Sequence, residues 1–264
     1  MLIVLSPAKS LDYETPVPTD KATRPRMLDH SQELVEIMAT KSPADIGKLM
    51  SISPALSELN YERFQSWKRP MPRKHARASI LAFNGDVYDG MSARTTFSDA
   101  DFDHAQVVLR MLSGLYGVLR PLDLMLPYRL EMGTRLANAR GRDLYAFWGD
   151  EITNTLRADL RKSPGDRVLI NLASEEYFGS VRPAQLQAPV VSPRFLDHNA
   201  GGDSKVISFF AKKARGAMAG WLIRERITSV DRLPEFTGAG YTFCAEPSTD
   251  AVPVFSRSGS SGIA

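Results

Sequence analysis

Apolar runs in this sequence are short, and they alternate irregularly with stretches of helical spacing. Leu2-Ile3-Val4-Leu5 is stopped at once by Ser6-Pro7, and Val168–Leu172 repeats the pattern far downstream. Both read as buried strands. Val190, Val191 and Phe195 mark a third strand, Val206–Phe209 a fourth, and Tyr241–Ala245 a late one. Ser79–Phe83, closed by Asn84-Gly85, reads as a strand running into a turn. Between them fall helices with recognisable starts. Ser42-Pro43 and Ser53-Pro54 each put a capping serine before a proline at the first helical position, and the second helix sets Leu56, Leu59 and Phe64 on one face. Ser98 with Asp101 three residues on reads as a capping box, opening a helix through Phe102, Ala105, Val108, Leu109 and Leu112. Asp143 or Leu144 starts another, through Phe147, Ile152, Leu156 and Leu160. Ala211–Ile227 is the clearest of all. No repeat, long linker or regular βαβ rhythm divides the chain. The expected fold is therefore α+β, one compact mixed domain over residues 1–257, with a flexible Ser/Gly-rich tail at 258–264.

The residue inventory narrows the chemistry. With 264 residues and 43% hydrophobic content, the chain can bury a core without a disulfide or metal staple. Its one cysteine, Cys244, excludes a disulfide framework and any Cys-cluster site. Glu246 nearby does nothing to activate that thiol, so a structural cysteine on a strand is expected. The four histidines are dispersed, so neither a metal site nor a cofactor is expected. No apolar run is long enough to span a membrane, and MLIVLSPAKSLDYE lacks the basic start of a signal peptide. A cytoplasmic monomer without membrane contact is the expectation. Phosphate-loop, dinucleotide, zinc-protease and nucleophile-elbow motifs are all absent.

Charge says more locally than in its total of +3. Six cations and no acids lie between Arg63 and Arg77, and six more against Glu225 alone between Lys205 and Arg226. Between Asp86 and Asp103 five aspartates face only Arg94. Such segregation permits a basic face for a polyanion, although any one run can equally be solvated surface.

Three constellations could carry function. In RMLSGLYGVLRPLD (110–123), a helix ending near Gly114, a Gly114-x-x-Gly117 turn and a resumption toward Arg120 have the layout of a helix-hairpin-helix, whose glycines let backbone amides meet a phosphate. The same residues also fit a helix C-cap and a tight turn, since Pro121 interrupts a second helix. Lys205 followed by Lys212, Lys213 and Arg215 forms the second constellation. On a helix beginning at Ala211 these cations oppose the helix dipole, which points to a bound anion, or else they pair with the acidic segment. The third is a lysine–carboxylate site, with Lys205 as nucleophile and Asp86, Glu131 or Glu175 as partner.

Together these strings resemble the bacterial YaaA family of peroxide-stress proteins. LSPAKSLD (5–12), LAFNGDVYDG (81–90), RMLSGLYGVLRPLDLMLPYRLEMGT (110–134), LYAFWGD (144–150), INLASEEYF (170–178) and KVISFFAKKARGAMA (205–219) carry the resemblance, which runs from residue 1 to about Arg257. It implies a cytosolic protein that limits free iron, and the DNA damage iron drives, under hydrogen peroxide. It also implies an unusual mixed α/β fold with a helix-hairpin-helix, and a basic cleft that binds duplex or branched DNA with little regard to sequence. Carried over, the hairpin falls on Gly114–Gly117, and the cleft candidates are Lys9, Arg120, Arg129, Lys205, Lys212, Lys213 and Arg215. Glu175 and Ser204 depart from the family pattern, and an acid at 175 weakens an anion pocket if it lines one. An enzyme acting on a nucleotide or nucleic acid through the lysine–carboxylate site is the alternative.

Overall fold

A computed structural model describes residues 1–198 and 204–258. Its main sheet contains β1 (Leu2–Leu5), β2 (Leu109–Ser113), β3 (Gly117–Leu119), β4 (Leu169–Leu172) and β5 (Val190–Val191), in the order β3-β2-β1-β4-β5. β1 pairs parallel with β2 (Ile3 opposite Leu109) and with β4 (Leu2 opposite Leu169). The central position explains its composition. All four residues are buried, as a strand covered on both faces requires. A second sheet of β6 (Arg194–His198), β7 (Ser204–Lys205), β8 (Thr242–Cys244) and β9 (Val254–Ser258) runs β7-β6-β9-β8. Phe195, Phe236, Tyr241 and Phe255 form its aromatic core.

Helices fill the space around the sheets. α1 (Leu28–Ala39), α2 (Pro43–Met50) and α3 (Pro54–Ser66) come first, then α4 (Asp86–Met91), α5 (Asp99–Val108) and α6 (Glu151–Leu160). α7 (Ser208–Arg224) is the longest and touches both β4 and β6. The capping signals read correctly: Ser42 and Ser98 each close a full capping box, and Ser53 caps α3. α2 and α3 pack on each other across Ser51-Ile52-Ser53. Among the described residues no helix is long and apolar enough to cross a membrane. The chain is a single mixed α/β domain, as expected.

Several local readings are corrected. The Gly114–Gly117 segment is not a helix-hairpin-helix. α5 stops at Val108, and Leu109–Ser113 continues as a strand that folds back antiparallel onto Gly117–Leu119, with Ser113 opposite Gly117. Leu109, Met111 and Leu112 are wholly buried, and pairing beside β1 satisfies their backbone as well as their side chains. Pro121 then forces a turn, in which the Asp123 N–H donates to the Arg120 carbonyl at 2.9 Å. Ser79–Ala82 is one helical turn rather than a strand, tied down by the Ser79 hydroxyl donating to the Arg120 carbonyl at 2.8 Å. The helix expected from Asp143 breaks in two at Gly149, whose φ is 49°. The fourth strand is Ser204–Lys205, not Val206–Phe209, which leaves Val206 and Phe209 exposed. On α3 only Phe64 of the three apolar residues is buried. From Gly259 onward the expected tail lies outside the described residues.

Candidate functional site

Two clefts gather the chemistry-bearing side chains. The first lies at the carboxyl ends of β1 and β4. The chain leaves β1 toward β2 on one side of the sheet and leaves β4 toward β5 on the other, so a crevice opens where the connections diverge. Ser6 follows β1, Ser174 lies two residues beyond β4, and they clasp each other across this gap. The Ser174 N–H donates to Ser6 Oγ at 2.8 Å, and Ser6 Oγ donates to Ser174 Oγ at 3.2 Å. The Tyr88 hydroxyl donates to the Ser6 carbonyl at 3.0 Å.

α4 and α7 close the crevice from above, and glycine decides how tightly. A Cβ on Gly216 would stand 1.7 Å from the Val87 carbonyl oxygen, and one on Gly90 would stand 2.1 Å from that of Lys213. Backbones this close allow no side chain between them. The contact delivers Asp86, Lys212 and Arg215 to the same cavity, about 450 Å³ in volume, whose lining also includes Lys9, Glu176 and Tyr177. Lys212 Nζ is 3.9 Å from Asp86 Oδ2, a loose pair. Lys9 Nζ is held by Glu131 at 2.7 Å, and Glu131 also accepts from Arg129 at 2.9 Å. Glu176 accepts from the Gly133 N–H at 2.9 Å. Arg215 is different. It is half-buried, and among the described residues it makes no hydrogen bond and has no carboxylate within 4.0 Å. Burial lowers its pKa, while the charge of Glu175 pulls the other way. Burial also raises Tyr88 and Tyr177 well above the ordinary phenol range, so both hydroxyls stay protonated.

The second cleft belongs to the first basic run. A cavity of about 670 Å³ is lined by Arg63, Lys68, Lys74 and His75 together with Trp67 and Tyr13. Trp67 is pinned by its indole N–H donating to the Tyr116 hydroxyl at 3.1 Å, and Tyr13 by donating to the Met125 carbonyl at 2.8 Å. Among the described residues, Arg63, Lys68, Arg73 and Lys74 have no carboxylate within 4.0 Å, whereas Arg69 pairs with Asp29 and Arg77 with Asp12. Burial lowers the pKa of Arg63, which is partly enclosed at the base of this cleft.

The remaining sequence candidates fall elsewhere. Gly114 and Gly117 are buried. Gly114 presses on the Leu130 backbone and accepts from the Trp148 indole at 2.9 Å, while Gly117 (φ 66°) presses on Trp148 and Met27. Arg120 is spent on buried Asp123 at 2.8 Å. Lys205 sits exposed on the edge strand β7, Glu175 is exposed outside the crevice lining, and the Lys213 ammonium lies 4.6 Å from the centre of the Phe209 ring. Of the lysine–carboxylate set, the fold brings Asp86 into the crevice and Glu131 to its edge through Lys9. α7 begins at Ser208, so Lys212 stands in its second turn, where the dipole argument no longer applies. Sequence reading passed over Ser6, Ser174 and Trp67, and named Arg63 only as the start of the first basic run. The signal for the serines was present: a small hydroxyl residue follows closely on each buried apolar run.

Residues 1–247 match the family model described as peroxide stress protein YaaA, and the chain belongs to that family.

Proposed function

We propose that this member of the peroxide stress protein YaaA family binds DNA with little regard to sequence and so limits iron-driven damage to it. Family membership supports a role in the response to oxidative stress. The observation that carries the finer reading is the cluster of Arg63, Lys68 and Lys74 around one cleft with Trp67 and Tyr13, with Arg73, next to Lys74 in the chain, lining a separate cavity; none of the four has a carboxylate within 4.0 Å among the described residues. Cations left unpaired attract phosphates by releasing condensed counterions, and that attraction ignores base sequence. A pinned aromatic ring between them offers a stacking surface to a frayed or branched strand. Lys205 and Lys213, in the second basic run, are further candidates for phosphate contact.

Fluorescence anisotropy with a labelled duplex and a four-way junction tests the reading. The triple variant R63E/K68E/K74E is expected to bind both at least about 30-fold more weakly, while R142E, which reverses a charge exposed elsewhere, stays within about twofold. Plasmid nicking by ferrous iron and peroxide should be slowed by the wild-type protein and not by the triple variant. Unchanged binding by the triple variant would overturn the assignment.

A further inference from the structure

We propose that the crevice between β1 and β4 is a second binding site, one that takes the phosphate monoester of a nucleotide. Its place is the first argument. Open sheets with parallel strands bind ligands beyond the strand carboxyl ends where the connections diverge, and this crevice lies at that point. Arg215 is the second. Half-withdrawn from water, it has neither carboxylate nor hydrogen bond among the described residues, whereas Arg110, Arg120 and Arg129 meet carboxylates, and Arg63 and Arg157 at least donate to the side chains of Asn60 and Asn154. The charge of Glu175 reaches it only from beyond 4.0 Å; a guanidinium half-removed from water without a direct partner is unfavourable, and its planar fork matches a phosphate.

The neighbouring groups fit the same ligand. Lys212, three residues earlier on α7, reaches the cavity with only a loose hold on Asp86. The Ser174 hydroxyl accepts from Ser6, and its own proton has no acceptor among the described residues. Three cations, Lys9, Lys212 and Arg215, line the cavity against two carboxylates, Asp86 and Glu176. The carboxylates give the sugar hydroxyls of a nucleotide their acceptors, and the neutral rings of Tyr88 and Tyr177 give it an apolar wall. About 450 Å³ is a ligand-sized volume. None of the four cations assigned to duplex binding lines this crevice, so the two readings stand or fall separately.

Isothermal titration of the full chain with the four common ribonucleoside 5′-monophosphates, their nucleosides and inorganic phosphate tests the proposal. At least one monophosphate should bind tenfold or more tighter than its nucleoside. The exposed-residue variant K212A should weaken it fivefold or more, and R215A further, with thermal melts confirming that each variant is folded. Monophosphate binding should survive in R63E/K68E/K74E. A 5′-phosphorylated single strand that displaces the nucleotide, where a 5′-hydroxyl strand does not, identifies a strand end as the source of the phosphate. Failure of both strands to displace a bound monophosphate identifies a free nucleotide. Nucleosides binding as tightly as their monophosphates, or an affinity that neither K212A nor R215A changes, overturns the proposal.

Discussion

Ionic strength is the perturbation that discriminates most sharply among accounts of the first basic run. Six cations lie between Arg63 and Arg77, but Arg69 and Arg77 are held by Asp29 and Asp12, which leaves four to neutralise phosphates. Four released counterions give a slope of log affinity against log salt of about −3.6 for a duplex. Between 50 and 200 mM salt that slope amounts to a loss of roughly 150-fold. Six contacts would give a slope of about −5.4 and a loss of more than 1,000-fold, so the measurement counts which cations are engaged. The assay is anisotropy of a labelled duplex at four or five salt concentrations. Arg73→Ala should flatten the slope by about one unit. A flat response, or a slope unchanged in R63E/K68E/K74E, would refute the reasoning, because it would mean that these side chains stay hydrated in the complex.

The other expectations concern the scaffold. Asp159 is nearly buried between Arg110 on β2, at 2.6 Å, and Arg26, at 2.7 Å; D159A strands a buried guanidinium and should cost about 3–5 kcal/mol in urea denaturation. Arg26→Ala leaves the inner pair intact and should cost about 1–2 kcal/mol in the same assay. Gly114→Ala puts a Cβ 2.2 Å from the Leu130 carbonyl oxygen, so it should lower the melting temperature steeply; unchanged melting with weakened DNA binding would restore the phosphate-contact role the structure removes. Burial, helped by the charge of Arg226, lowers the pKa of His104, whose Nε2 is sealed from water without a hydrogen bond. Its neutral form belongs to the folded state, so the unfolded chain takes up the proton first. Stability is therefore unaffected above pH 6.5 and falls as pH drops below it, and His104→Gln should flatten the curve measured between pH 8 and 5.

What the sequence determined by itself was largely local. Leu2–Leu5 and Val168–Leu172 could only be buried strands, and Ser42, Ser53 and Ser98 had to start helices, because side-chain burial and capping bonds are settled within a few residues. The family was legible too, since the strings that carry it are long. Pairing was another matter. RMLSGLYGVL has the glycines of a hairpin between helices, and only its place beside β1 makes Leu109–Ser113 a strand and turns the glycines inward against Leu130 and Trp148. The cations show the same division. Their number is in the sequence, but which of them meet a carboxylate depends on contacts between distant segments: Lys9 with Glu131, Arg120 with buried Asp123, Arg77 with Asp12. The close approach of α4 and α7 at Gly90 and Gly216 places Arg215 in a crevice without a partner among the described residues. Burial and capping act over a few residues and can be read along the chain. Electrostatic pairing acts through space, so the fold alone decided which charges remained to bind anything else.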